Sequence, residues 1–408
     1  MRIMFVSPYP ASRIRVRSYG FITQLAKRHS IEVLALCANM QELSDVQALQ
    51  QEGITAIAIY EPHIVRYMRS FRALASQQPL QVAFDASPRL RTAIGNHLLR
   101  GHFDLLHVEL IRTLDAVPTI LPVPVVWDAV DCISQLYEHG GQVGINWMQR
   151  ILGTHEARRV RAYEHTQLHR FRHVLVTAER DRQALLAIAQ DSKATICEQL
   201  PAEITVLPHG IDQHYFQPYD GERRAETLIF SGKMSFHANI AGVCALVRCI
   251  LPLIWQKRPM VRLVIAGNDP PAMVRHFAKD PRIEVTGYLA DLRPAIAQAQ
   301  IAVCPLPYAV GIQNKVLEAM ALGTPVIAST PVATGLQAKV GRDLLVADEP
   351  ADFAAAVLGL LEDQTQWCSL ATHGVAYIRA YHHWDIIIEQ LTTVYTQIAL
   401  SSKRIVKK

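Results

Sequence analysis

Long apolar runs are missing from this 408-residue chain. No stretch reads as the roughly eighteen or more consecutive apolar residues that a membrane span needs. The opening MRIMFVSPYP is apolar for only a few residues before Pro8 and Pro10, too short for a secretory signal. Charge is also scarce, at 19% of residues against 50% hydrophobic, which excludes wholesale disorder and allows a large buried sheet system. The seven cysteines (Cys37, Cys132, Cys197, Cys244, Cys249, Cys304, Cys368) are odd in number, far apart and without a C-x-x-C pair. They read as free thiols in a reducing compartment, so a cytoplasmic protein, soluble or peripheral at the inner face of the cell membrane, is expected. No H-E-x-x-H or cysteine zinc pattern is present, no G-x-G-x-x-G follows the first strand, and no G-x-S-x-G occurs. These absences disfavour zinc hydrolysis, nicotinamide-dependent oxidation and the usual serine-hydrolase elbow.

The length suits two α/β cores rather than one. A formal net charge of +5 favours anionic partners, but acidic residues are interspersed and no long basic run occurs, so nucleic acid is not expected. Three local clusters stand out: Arg13, Arg15 and Arg17; Arg158, Arg159, Arg161, Arg170 and Arg172; and the tail with Lys403, Arg404, Lys407 and Lys408. They suit either solvated helix faces or a surface for phosphate or anionic membrane.

Strand-like runs alternate with helical spacing throughout. IMFVS, IEVLAL, ITAIAIY, FDLLHV, PVPVVWD and HVLVTA read as buried parallel strands, and Arg17 to Arg28 as a helix with Phe21, Ile22, Leu25 and Ala26 on its apolar side. The Pro-, Gly- and Asp-rich ITVLPHGIDQHYFQPYDGERR reads as an irregular interdomain linker. Alternation then restarts with TLIFSG, a helix from about Asn239 to Gln256, VRLVIAG, IEVTGY, IAVCPL, a helix near Asn314 to Leu322, and PVIAS. The pattern predicts two doubly wound Rossmann-like domains, 1–205 and 206–378, with a terminal segment 379–408 holding an amphipathic helix and basic tail.

The densest chemical signal lies where the strand IAVCPLPY meets the loop AVGIQ and the helix NKVLEAMALG. Unpaired amides and the positive end of the helix dipole make such a junction suitable for phosphate. Gly311 permits close backbone approach, and Lys315 and Glu318, three apart, share a helix face. A cation there suits a pyrophosphate, and a carboxylate can accept two ribose hydroxyls, although an ordinary surface ion pair has the same spacing.

This segment closely resembles the donor-binding motif of glycosyltransferase family 4. Glu318-Ala319-Met320-Ala321 and Gly323-Thr324-Pro325-Val326-Ile327 match it, while Val310 stands where the family carries a first glutamate. VLPHGIDQHYFQP resembles the family's interdomain signature, with His209 in place of Asn, and TLIFSGKMSFHANI its next strand and glycine loop. The resemblance implies a GT-B fold, α/β with two Rossmann-like domains facing a cleft. It implies a nucleoside diphosphate sugar held by Gly232, Lys233, Gly267, Tyr288, Leu289, Gly311, Ile312, Gln313, Asn314, Lys315 and Glu318. Of the two cations that usually hold the diphosphate, only Lys233 is evident in the glycine loop, followed by Ala238-Asn239, so Lys315 is expected to supply the other.

In the N-terminal half, SPYPASRIRVRSYGF resembles the strand, loop and helix of the acceptor side, with Arg13, Arg15 and Arg17 placed to reach a phosphate or to sit as exposed charges. Asp128 and Asp131 follow a buried strand in VVWDAVDCIS, where a carboxylate could orient or deprotonate an acceptor hydroxyl or simply cap the next helix. Glu109 is a further candidate. With no D-x-D triplet, metal and other cofactors are not expected. The implied reaction is retaining transfer of a hexose-type group to a glycan or lipid-linked acceptor, assisted by Lys233 and Lys315, in exopolysaccharide or glycoconjugate assembly. A nucleotide-sugar 2-epimerase and an inactive donor-binding scaffold are the alternatives.

Overall fold

The computed structural model describes residues 1–143, 147–191 and 202–405, with side chains described outside 141–151 and 402–405. Cys197 and the last three residues of the basic tail lie outside the described residues. The chain divides into two compact units. Unit 1 comprises Met1–Gly210 with Trp384–Lys408, and unit 2 comprises Ile211–His383.

Unit 1 holds a seven-stranded parallel sheet: β1 (Arg2–Ser7), β2 (Ser30–Cys37), β3 (Thr55–Tyr60), β4 (Leu105–Glu109), β5 (Val125–Val130), β6 (His173–Val176) and β7 (Glu203–Val206). Their spatial order is β3-β2-β1-β4-β5-β6-β7, so the winding direction reverses between β1 and β4. Strands such as IMFVS are apolar on both faces because helices cover both, and their burial is nearly complete. β7 corrects the reading of residues 204–206 as irregular linker. ITV pairs in register with β6, a four-residue edge strand hidden by the turn-rich residues that follow it.

The terminal helix Trp384–Ile405 belongs to unit 1 rather than forming a separate segment. Its row of Trp384, Ile387, Ile388, Leu391, Tyr395 and Ile398 joins Phe21, Ile22 and Leu25 of helix Val16–Ala26 in one core on one face of the sheet. Trp384 lies so close to Gly20 and Gly210 that a Cβ on either would overlap its ring, at 1.9 Å and 2.3 Å. Glycine at both positions follows from this packing.

Unit 2 repeats the same winding with six parallel strands: β8 (Arg224–Ser231), β9 (Arg262–Ala266), β10 (Ile283–Gly287), β11 (Ala299–Cys304), β12 (Val326–Ala328) and β13 (Leu345–Val346). The order β10-β9-β8-β11-β12-β13 places its reversal between β8 and β11. Helix His237–Ala245 runs through a π turn, Leu246–Ile250, into Leu251–Lys257. Pro252 explains the wide turn, since it lacks an N–H and crowds the preceding carbonyls. Contrary to the expectation from apolar runs, His237–Lys257 is long and apolar enough to meet the length and hydropathy of a membrane span. Val243, Leu246, Ile250, Leu251 and Ile254 are buried within unit 2, which accounts for that composition.

Candidate active site

In a doubly wound sheet, ligands bind beyond the carboxyl ends of the strands at the reversal point. In unit 2 that point is lined by the loop after β8 and the loop after β11. Gly232, which follows β8, donates its amide to Ala266 O at 3.0 Å, and Gly267, which follows β9, donates to Gly287 O at 3.2 Å. Gly267 has φ +149°, and a Cβ there would lie 1.8 Å from Gly232 O. Only glycine allows these strand ends to converge.

Lys315, near the start of helix Asn314–Ala321, reaches this convergence. Its Nζ donates to Asn239 Oδ1 and lies 4.6 Å from the Phe230 ring centroid. A Cβ at Gly232 would be 3.1 Å from the same Nζ. Asn239 is itself fixed, because its Nδ2 donates to Lys233 O at 2.8 Å. Burial lowers the Lys315 pKa, against the smaller opposing effects of Cys304 and Glu318. Burial likewise pushes the Glu318 carboxyl up to about 7, opposed by Lys315. The hydrogen bond from Lys315 Nζ goes to a neutral amide oxygen rather than to a carboxylate.

The helix start adds donors. The N-cap residue Gln313 makes no side-chain cap to Asn314–Ala321, and Asn314 Oδ1 is buried without a hydrogen-bond partner among the described residues. Gln313 Nε2 donates to Val310 O at 3.1 Å, which braces the loop. Val310 is buried, at 7% exposure, as are its chain neighbours Tyr308, Ala309 and Ile312. Lys233 and Tyr288 are exposed at the neighbouring strand ends, and Leu289 is half-buried. Asn239 was not singled out as a contact from sequence. Nor was the pairing of His237 Nδ1 with the Tyr308 hydroxyl, whose rings stack 5.5 Å apart. A second polar residue after His237 in the first turn of the largely apolar HANIAGVCA was the available signal for Asn239.

In unit 1 the reversal point lies between β1 and β4, and a buried polar network occupies the strand ends. Arg17 does not remain as an exposed charge or phosphate contact. Its Nε and Nη2 donate to Asp128 at 2.7 Å and 2.8 Å, and its Nη1 donates to Leu207 O at 2.8 Å. Asp128 is also 3.6 Å from His107 Nε2. Burial opposes ionisation of Asp128, yet Arg17 and His107 together hold it well below the usual carboxylate range. A fully buried, doubly paired carboxylate is a poor general base, which corrects the expectation for Asp128.

Glu109 accepts from Ser7 Oγ at 2.8 Å and from Ser18 Oγ, and burial raises its pKa. Arg15 lies over the Tyr9 ring at 3.5 Å and pairs with Glu42, also at 3.5 Å, whereas Arg13 is exposed. The second arginine cluster is divided too. Arg159 is buried, and Arg170 donates to the carbonyls of Leu114, Val117 and Pro118.

Asp131 differs from Asp128. Its Oδ1 accepts from Thr177 Oγ1 at 3.2 Å, and part of the residue remains exposed. Enclosure of the carboxyl, then the neighbouring Asp181, raises its pKa to about 7, a value suited to proton exchange near neutral pH. The preceding Val130 has φ +69°, an outlier for a β-branched residue, at an irregularity in the β5–β6 register.

Two parallel sheets wound in this way, with a returning C-terminal helix, define the GT-B fold. Residues 225–363 match the family model described as glycosyl transferases group 1. The chain is 27% identical over 224 residues to the MMP alpha-(1->4)-mannosyltransferase of Mycolicibacterium hassiacum, covering 52% of this chain. That match spans 53% of the relative's length. Among solved structures, Anabaena HepE in complex with UDP is similar at TM-score 0.66 and 14% identity, over 97% of this chain and 100% of that one. Sucrose-phosphate synthase from Thermosynechococcus elongatus is similar at TM-score 0.67 and 16% identity, over 98% and 100%. A S. aureus TarM mutant, in complex with Fondaparinux, alpha-GlcNAc-glycerol and UDP, gives TM-score 0.68 and 8% identity over 97% and 100%.

Proposed function

We propose that this protein is a glycosyltransferase that moves a hexose-type group from a nucleoside diphosphate sugar to a hydroxyl of a glycan or lipid-linked acceptor. The observation that carries this reading is the Lys315–Asn239 contact at the convergence of two glycine-ended strands with a helix start. Gly232, Gly267 and Gly311 admit the donor close to the backbone, Glu318 accepts ribose hydroxyls, and Tyr288 and Leu289 border the base. The bond from the anomeric carbon to the diphosphate oxygen breaks, and the bond to the acceptor oxygen forms. Lys315, exposed Lys233 and the helix amides stabilise the charge that develops on the leaving diphosphate. The acceptor proton must leave, and Asp131, a unit 1 carboxylate at the end of β5 with a pKa raised to about 7, is suited to taking it. Retention at the anomeric carbon and a place in exopolysaccharide or glycoconjugate assembly complete the proposal.

Val310 favours one rival. A buried valine where the resembled family carries a carboxylate suits a donor-binding scaffold without turnover. The full chain, incubated with a panel of nucleoside diphosphate sugars and candidate acceptors, distinguishes the readings. Acceptor-dependent release of nucleoside diphosphate, persisting in EDTA, is expected. Nucleotide-induced thermal stabilisation without any turnover identifies the scaffold, and complete loss of activity in EDTA refutes metal independence.

A further inference from the structure

A pocket in unit 2 lies where the chain enters and leaves that unit. Ile211 N donates to His382 O at 2.7 Å, which holds the incoming segment beside the end of helix Gln364–Tyr381. Both line a space of about 300 Å³, at the lower limit of small-molecule sites. Phe216 of the incoming segment, Val375 and Ile378 of that helix, and Ala321 give it apolar walls. Ala321 is the last residue of helix Asn314–Ala321, about 9 Å of helix beyond Lys315. A further space of about 630 Å³ adjoins the first and shares Val375 and Arg379 with it.

Two polar groups in the lining are donors without acceptors. Gln213 Nε2 is enclosed and has no hydrogen-bond partner among the described residues. An enclosed amide without a partner costs stability, and a leucine of similar size would avoid that cost. The terminal torsion of glutamine is soft, so a small rotation turns this donor to an occupant. Arg379 is exposed and makes no ion pair or side-chain hydrogen bond among the described residues. An arginine in the last turn of a helix complements the helix dipole, but that does not account for the amide. No Asp or Glu lines either space. At the neighbouring helix end, Leu322 O is already taken by Tyr219 N and Arg223 Nη2, each at 3.1 Å.

We propose that this pocket binds a small organic anion, a carboxylate or phosphate carried on an apolar ring or short chain. The apolar body lies against Phe216, Val375 and Ile378, and the anionic group takes the Gln213 amide and the Arg379 guanidinium. The site is distinct from that of the nucleotide, because it meets the helix of Lys315 and Glu318 at the opposite end. It is independent of the proposed reaction, and its test uses no sugar donor.

The test is calorimetry on the full chain with phenyl phosphate, benzoate, inorganic phosphate and benzyl alcohol, repeated with excess UDP. Phenyl phosphate or benzoate should bind at least about tenfold more tightly than inorganic phosphate and benzyl alcohol, each of which carries half of the recognised chemistry. The tighter of the two identifies the anionic group. UDP should not displace it. Gln213→Leu and Arg379→Gln should each weaken binding by about tenfold, and Arg379→Lys by less. Without any ligand, Gln213→Leu should melt at or above the temperature of the parent, because an unpaired buried amide is replaced by an apolar group. That readout separates an amide kept for a ligand from one kept for the fold. Failure of the parent to bind either organic anion, displacement by UDP, or equal binding by Gln213→Leu and Arg379→Gln overturns the proposal. A Gln213→Leu protein that melts below the parent shows that the amide serves the fold, and overturns it equally.

Discussion

Arg17 and Asp128 meet as a two-pronged buried pair, Nε to Oδ2 at 2.7 Å and Nη2 to Oδ1 at 2.8 Å, with side chains 5% and 1% exposed. The pair ties helix Val16–Ala26 to the end of β5. Through His107, whose Nδ1 lies 2.7 Å from the Tyr395 hydroxyl, the terminal helix joins the same network.

Removing one partner leaves an uncompensated buried charge, so Asp128→Asn should destabilise unit 1 by about 3–5 kcal/mol in denaturant unfolding. The double variant Arg17→Met, Asp128→Leu should recover most of that loss. Because the folded Asp128 pKa is depressed, its contribution is present above the unfolded value of about 3.9 and is lost as pH falls towards the folded value. The parent and Asp128→Asn stabilities should therefore converge in acid. A cost below about 1 kcal/mol at neutral pH would show that the pair is not what holds these elements together.

Gly267→Ala tests the convergence of strand ends in unit 2. The added Cβ would meet Gly232 O, and φ +149° is strained for alanine. A loss of about 1–3 kcal/mol or more is expected, together with loss of nucleotide binding by calorimetry. Unchanged nucleotide affinity in a folded Gly267→Ala protein would place the ligand away from β8 and β9.

Much of this architecture was legible because buried parallel strands are written as apolar runs: TLIFSG, VRLVIAG and IAVCPL each fall on a strand of unit 2. The helix carrying Lys315 and Glu318 was legible through its terminating Gly323 and preceding loop. The partners of its charges were not. Lys315 meets Asn239 across 76 residues, and Arg17 meets Asp128 across 111. Read locally, an arginine near a helix start looks solvated; only the winding of the sheet brings a carboxylate beneath it. Helix His63–Ala73 shows the converse, because its apolar spacing alone would place Phe71 in a core.

Glu318 should impose a pH dependence on nucleotide binding. Burial raises its carboxyl to about 7, and only the ionised form accepts two ribose hydroxyls. Affinity relative to Glu318→Gln should then rise by about tenfold from pH 6 to pH 8, following the ionised fraction. Taking the ratio of parent to variant cancels titration of the nucleotide phosphate itself. A flat ratio across this window would remove Glu318 from the ribose contact.

The most direct measurement is the initial rate of sugar transfer by Lys315→Ala, set beside its calorimetric affinity for the same nucleotide sugar. Diphosphate charge grows as the glycosidic bond breaks, so Lys315 acts more strongly on the transition state than on bound substrate. The account predicts a kcat lowered by about 10²–10³, with affinity weakened by less than about tenfold, in a variant that remains folded. A folded Lys315→Ala protein that binds donor and turns over as the parent does would contradict the account and place the donor site elsewhere.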